Sequence, residues 1–374
     1  MPINTKAAWT QAMTDVRGMN KSFNNVTLRT SVIPTISGEE VRIELSNRFG
    51  YTPLVIGHIA ITAGRQTEIA KFSRQNAITI PSNESFWTDS ISMSINKGSE
   101  IIIDIYLPNH TVYSTSNLVG CPLQVSTSGD FVGQTPFQSD NTPTMTMPDG
   151  SEIPLSTPFL RSVDVLGSNA SAVIVCLGDS ITAGGYPEIA TSLLPSRAAV
   201  AFANRGIGGN RLQEDADTVN AHLGRSGITR FNEDVLGTSG ATHLVIALGT
   251  NDLGLSKTMK PYKIPSASQL INAYKHLTEL ATKNRLEVII ATITPFMNAE
   301  GYDAEHEDIR STVNDWVRTS APNFVDFDLA IRSQNSPTQL DKKYDFGDHL
   351  HPNDAGQTRL AMTMVEKLKN LKIC

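Results

Sequence analysis

From about Val26 to Val132 apolar and polar positions alternate in short runs: VTLRTSVI at 26–33, VRIELS at 41–46, LVIGHIAIT at 54–62, AITI at 77–80, ISMSI at 91–95 and EIIIDIYL at 100–107. Alternation sends successive side chains to opposite faces, so each run predicts a strand with one face in a core. Turn signals at Ser37-Gly38, Phe49-Gly50, Pro81-Ser82, Lys97-Gly98 and Pro108-Asn109 separate them, which predicts an antiparallel β sandwich or jelly roll. Between Gly133 and Pro158 the chain is polar and rich in Pro and Thr with neither period. That stretch, about 133–158, predicts a linker or a long loop along a domain boundary.

From about Phe159 the period changes. Apolar strand candidates at 171–177, 198–203, 242–248, 287–293 and 324–329 alternate with helical patterns, the signature of βαβ units around a parallel sheet. A helix over about 266–283 has Ser266 as N-cap and Gln269 three residues on, a capping box, with Leu270, Tyr274, Leu277 and Ala281 on one stripe. A second, about 303–319, turns Ile309, Val313, Trp316 and Val317 inward, and a third, about 354–371, buries Leu360, Ala361, Met364, Val365 and Leu368. At 374 residues the chain exceeds one ordinary core. Two domains are therefore expected, 1–160 and 161–374.

The formal net charge of -6 argues against a polyanion partner, so no nucleic acid is expected. No apolar run approaches the length of a membrane span, and the start MPINTKAAWTQAMTDVRG lacks the apolar centre of a secretory signal. The expectation is no membrane partner and a cytoplasmic protein, or a secreted one if a leader was trimmed. Cys121, Cys176 and Cys374 are widely spaced with no CxxC pair, which predicts free thiols rather than a disulfide framework or a zinc site. No cofactor is expected, and the pattern fixes no oligomeric state.

The chemistry sits in four loops. Gly178-Asp179-Ser180-Ile-Thr-Ala-Gly184 follows the first apolar run directly, NRGIGGN spans 204–210, GTND spans 249–252 and DHLHP spans 348–352. In an open parallel sheet ligands bind beyond the carboxyl ends of the strands, and in a 2-1-3-4-5 order Ser180 would be flanked by the loops after strands two and three. Ester cleavage needs a nucleophile, a base, a group that orients the base, and donors for the oxyanion. Ser180 fits the nucleophile, His351 the base, and Asp348 the group holding its tautomer. Gly208 and Gly209 offer backbone N–H groups unobstructed by a Cβ, and Asn251 a side-chain amide. Arg211, next to that loop, is a candidate to project over the pocket and bind a substrate hydroxyl or carboxylate, with a surface role as the alternative.

Each residue also has a plainer reading. Ser180 fits a helix cap, Asp179 a residue that ties its turn, Gly206 a tight turn, Asn251 turn chemistry, His349 a solvated or structural side chain, and Asn353 the N-cap of the last helix. DFGDHLHPND at 345–354 also packs three carboxylates and two histidines into ten residues, as a metal site would. No matching His or Cys cluster appears in the other loops, and a metal leaves Ser180, Gly209 and Asn251 unexplained. Metal binding is the weaker reading.

In this order, GDSITAG, N-x-G-x-x-G-N, G-T-N-D and D-x-x-H-P resemble the four blocks of the SGNH, or GDSL, hydrolase family of esterases and lipases. The resemblance covers about Val173 to the C-terminus and implies a flavodoxin-like three-layer α/β/α fold. It implies Ser180 as nucleophile, Gly209 and Asn251 in an oxyanion hole to which Ser180 also contributes, and Asp348 and His351 completing the triad. RIELSNRFG at 42–50, leading into a β domain, is similar to a bacterial subgroup with a sandwich ahead of the hydrolase, linked with deacetylation of plant polysaccharides. Between the first two blocks GGYPEIATSLLPSR is short for the family. The expectation is a serine esterase for short-acyl esters, acetyl esters of carbohydrates first among them. The alternatives are a general short-chain esterase or lipase without sugar preference, and a non-catalytic carbohydrate-binding protein on an esterase scaffold. For sugar binding, Trp87, Tyr106, Tyr113 and Phe131 are the aromatic candidates in the first domain.

Overall fold

Ten strands build the two main sheets of the N-terminal half: β1 (Lys6–Thr10), β2 (Val26–Val32), β3 (Glu40–Ser46), β4 (His58–Ala63), β5 (Gln66–Ala70), β6 (Ser85–Trp87), β7 (Ile101–Leu107), β8 (Gln124–Ser128), β9 (Ser139–Asn141) and β10 (Leu160–Leu166). This is a computed structural model that describes residues 5–146, 152–195, 198–258 and 262–374. The chain divides into two compact units, Met1–Asn169 with Thr218–His222, and Ala170–Asp217 with Leu223–Cys374.

In the first unit a four-stranded sheet runs β1-β10-β3-β6 and a six-stranded sheet runs β9-β8-β2-β7-β4-β5, antiparallel throughout. Alternation explains the packing. Ile101, Ile103, Ile105 and Leu107 point inward along β7, as do Val41, Ile43 and Leu45 along β3. Asp104, on the other face of β7, is also buried, and Arg29, its register partner on β2, clamps it with two hydrogen bonds of 2.6 and 2.7 Å. In the 42–50 segment Asn47 donates to the carbonyls of Thr52, Ile80 and Pro81. A Cβ on Gly50 would lie 1.9 Å from the Asn47 amide oxygen, so the motif is a tightly closed turn.

Several expectations need correction here. The 54–62 run is two strands, Leu54–Ile56 and β4, broken at Gly57, where a Cβ would meet the Tyr106 ring at 2.6 Å. ISMSI at 91–95 is no strand: it makes single bridges, Ile91 to Val41 and Ile95 to Gly38. The 133–158 stretch is not featureless, since it supplies β9 and the pair Thr144–Thr146 with Glu152–Pro154, and it buries Met145 and Leu155. Polar side chains hide the period there, but edge pairing needs only backbone groups. Of the aromatic candidates, Tyr113 is fully buried and donates to the Ser156 carbonyl, while Trp87 lies under the Arg42 guanidinium.

The second unit holds β11 (Ala172–Gly178), β12 (Val200–Gly206), β13 (His243–Ala247), β14 (Glu287–Ala291) and β15 (Phe324–Val325) in one parallel sheet of order β12-β11-β13-β14-β15. Every residue of β11 is buried, as expected of a central parallel strand covered on both faces. The helices are α1 (Ser180–Ala183), α2 (Tyr186–Leu193), α3 (Gly227–Arg230), α4 (Thr250–Thr258), α5 (Ala267–Lys283), α6 (Ala304–Ser320), α7 (Phe327–Ile331) and α8 (Asp354–Asn370). On one sheet face Ile174, Cys176, Phe202, Val245 and Ile289 share a core with Tyr186 and Ala190 of α2 and Leu360, Met364 and Leu368 of α8. Ser266 and Gln269 form the expected capping box of α5. The 324–329 run is strand only to Val325; Asp326 caps Leu329 N–H and turns the rest into α7. On α6, Ile309 and Trp316 are half-buried, and the stripe that faces in is His306, Arg310, Val313, Asn314 and Val317. Arg310 is buried because Glu307, Asp328 and the Ile293 carbonyl take its guanidinium. Among the described residues no helix is long and apolar enough to cross a membrane.

Candidate active site

Gly178 ends the central strand and Ser180 opens α1 beyond its carboxyl end. Asp179 caps this helix by accepting the Ile181 N–H at 3.0 Å, so the reading of Asp179 as the residue that ties the turn matches its place. Burial pushes its carboxyl up to about 7, against the opposing pull of the Ile181 N–H and of His351. The Ser180 hydroxyl lies 2.8 Å from His351 Nε2. His351 Nδ1 lies 2.6 Å from Asp348 Oδ2, and Asp348 Oδ1 accepts the N–H groups of Leu350 and His351 at 3.0 and 2.8 Å. Burial favours the neutral acid at Asp348, but the hydrogen bonds from the His351 side chain and these two N–H groups prevail and hold it below the usual carboxylate range. With the proton on Nδ1, Nε2 is free to accept the serine hydroxyl.

The loop repeats this device one turn earlier. Asp345 accepts the N–H groups of Gly347 and His349 and the His349 ring Nδ1 at 2.8 Å, so His349 is held structurally, with φ of 63°. Asp345 and Asp348 are thus each turned onto a histidine of their own, and among the described residues no group of three metal-ligating side chains is gathered. Asn353 caps α8 through the Gly356 N–H. One turn on, Gln357 donates to the Ile181 carbonyl at 3.1 Å and accepts the Tyr186 N–H at 3.1 Å, tying α8 to the helices around Ser180. The sequence reading missed Gln357. Its signal was a polar residue directly on the inward stripe that continues through Leu360, Ala361 and Met364.

The loop after β12 packs on the serine turn. Ile207 N–H donates to the Gly178 carbonyl at 3.1 Å, and Asn204, the first residue of the motif, donates to the Thr182 carbonyl and to the half-buried Glu188. Gly206 is not a tight-turn glycine: its φ is not positive, and it is needed because a Cβ would stand 2.3 Å from the Ala183 nitrogen. Gly209 has φ of 71°, and a Cβ there would strike Leu223 at 2.5 Å. Asn251 sits in the first turn of α4, buried, with its amide donating to the Asn210 carbonyl at 3.1 Å. One hydrogen of that amide remains for another acceptor. Asp252 fastens the same strip by accepting the N–H groups of Leu212 and Gln213; burial pushes its carboxyl up to about 6 against those bonds. Arg211 is buried, not projecting: its guanidinium bonds Glu214 at 3.0 Å and the Asp215 carbonyl at 2.6 Å and lies 3.5 Å over the Tyr262 ring.

A doubly covered parallel sheet with these loops at its carboxyl edge is the fold of an SGNH hydrolase, and the class it defines is carboxylic ester hydrolase. Residues 176–359 match the model of the GDSL-like lipase/acylhydrolase family, so this stretch is a GDSL-like domain. The matched span contains Ser180, Gly209, Arg211, Asn251, Asp348 and His351. No curated protein matches the sequence. Similar solved structures include a carbohydrate acetylesterase from Sinorhizobium meliloti, with 15% identity over 54% of this chain and 100% of that one at a TM-score of 0.43. An aryl esterase from M. smegmatis shares 14% identity over 54% of this chain and all of its own, TM-score 0.41. A GDSL-like lipase from Bacteroides thetaiotaomicron shares 19% over 53% of this chain and 88% of its own, TM-score 0.40.

Proposed function

We propose that this hydrolase cleaves short-acyl esters, acetyl esters of carbohydrates in particular, through an acyl-serine intermediate. Ser180 Oγ attacks the ester carbonyl carbon while His351 Nε2 takes its proton, and the Asp348 carboxylate stabilises the imidazolium that forms. The backbone N–H groups of Ser180 and Gly209 and the Asn251 amide receive the oxyanion. As the tetrahedral intermediate collapses the C–O bond to the alcohol breaks, and His351 returns the proton to the leaving oxygen. Water, deprotonated by His351, then attacks the acyl-serine carbonyl; the bond to Ser180 Oγ breaks, His351 returns the proton to Oγ, and the carboxylic acid leaves. The single observation that carries this reading is the unbroken line from Ser180 Oγ to His351 at 2.8 Å and from His351 to Asp348 at 2.6 Å. The carbohydrate half rests on the resemblance of the N-terminal segment at 42–50. Ser180→Ala should abolish hydrolysis of a short-chain aryl ester while leaving the folding transition in place. A panel of acyl lengths and acetylated saccharides tests the substrate: equal rates on aryl, alkyl and sugar acetates would favour a general short-chain esterase.

A further inference from the structure

Arg230 is among the largest side chains wholly removed from solvent in this protein, yet in sequence it lies outside all four loop motifs. It ends α3, and Asp234, four residues on in the π-helical turn Phe231–Leu236, pairs with it at 2.9 Å. A buried guanidinium forfeits its hydration and is stable only when its donors are matched. Besides Asp234, they are matched by groups that belong to the site's framework. One Nη donates to the Gly178 carbonyl at 2.9 Å, two residues before Ser180, and the other to the Arg205 carbonyl at 2.7 Å at the end of β12. Nε donates to the Asn210 side-chain oxygen at 3.0 Å. The Asn210 amide is in turn spent on the carbonyls of Leu223 and Arg225, both at 2.8 Å, so this side chain has no freedom left. The backbone carbonyl of the same Asn210 receives the Asn251 amide.

We infer that Arg230 is a positioning residue for ester hydrolysis: one guanidinium sets the turn carrying Ser180 in register with the loop carrying Gly209 and, through Asn210, fixes the Asn251 amide. The inference rests on the proposed roles of Ser180, Gly209 and Asn251. A planar fork with donors at fixed angles can hold three acceptors on separate elements at once; an ammonium on a flexible stem cannot. Arg230→Lys therefore keeps a cation for Asp234 but loses the register. Displacement of about 1 Å in a reacting framework lowers rates by about 100-fold. Because Arg230 does not touch substrate, the loss belongs in kcat with KM unchanged.

The test is steady-state hydrolysis of an aryl acetate by the full chain. Arg230→Lys should lower kcat about 100-fold with KM unchanged, and the acid limb of the kcat/KM profile should stay in place, since His351 and Asp348 do not depend on this contact. Arg230→Ala should regain part of its kcat with added ethylguanidinium and none with ethylammonium, a readout that lost stability alone would not produce. Should either variant fail to fold, Asn210→Ala interrupts the same link at its other end and carries the same expectation. A folded Arg230→Lys with wild-type kcat, or a loss confined to KM, overturns the inference while Ser180→Ala still abolishes activity. A wild-type protein that cleaves no ester overturns the proposed function and the inference together.

Discussion

Gly206→Ala is the smallest change that tests whether the packing of β12 against the serine turn sets the reaction geometry. The added carbon would stand 2.3 Å from the Ala183 nitrogen, 2.8 Å from its Cα and 2.9 Å from the Asp179 carbonyl oxygen, where ordinary contact begins at 3.4 Å. All three are backbone atoms, so no side-chain rotation relieves the clash. Either α1 or the strand end must retreat by about 1 Å, and α1 begins with Ser180. Overpacking of this kind costs about 1–3 kcal/mol of stability. A nucleophile displaced by about 1 Å from the imidazole now 2.8 Å away loses about 100-fold in rate. The assay is kcat on a chromogenic acetate, read beside the thermal midpoint. Gly254→Ala is the control: it lies inside α4 with nothing within 4 Å of the added carbon, and should gain about 0.5–1 kcal/mol without changing kcat. If Gly206→Ala loses stability but keeps wild-type kcat, the strain is absorbed away from α1 and the argument fails.

Asp348→Asn should leave KM unchanged and cut kcat by about 10⁴-fold, the usual consequence of losing the carboxylate that fixes the histidine tautomer; a loss under tenfold would mean that Asp348 is dispensable. Asp179→Asn keeps the cap on Ile181 but removes a buried acid whose native pKa of about 7 lies above its reference value of 3.8. Between those values the native state holds more protons at this group than the unfolded one, so the contribution of Asp179 to stability falls as pH rises from about 4 to about 7 and is flat above. Relative to the wild type, Asp179→Asn should gain progressively through that window, by about 4 kcal/mol at pH 8. Urea unfolding at pH 4.5 and pH 8 measures this, and a stability difference that does not change with pH refutes it.

Much of this protein follows from local pattern. The parallel strands, the capping box at Ser266, the buried stripe of α8 and the four loop motifs are visible because a helix face, a strand period or a turn is written in adjacent residues. The motif residues could also be named in advance: a serine directly after an apolar strand, glycines with no Cβ, and an Asp-x-x-His turn carry their chemistry in a few neighbouring positions. The tertiary structure alone decided the rest. Which strands pair is a matter of distant partners, so β10 inserts between β1 and β3, more than a hundred residues earlier in the chain, and the polar 133–158 stretch contributes an edge strand. Gly206 looked like a turn until the helix against it was known. Arg211, Arg230, Arg310 and Gln357 are polar by type, yet are buried because nearby carboxylates, together with carbonyls and an aromatic face from distant segments, receive them. A buried polar group is stable only with its acceptors in place, and those acceptors are assembled by the fold.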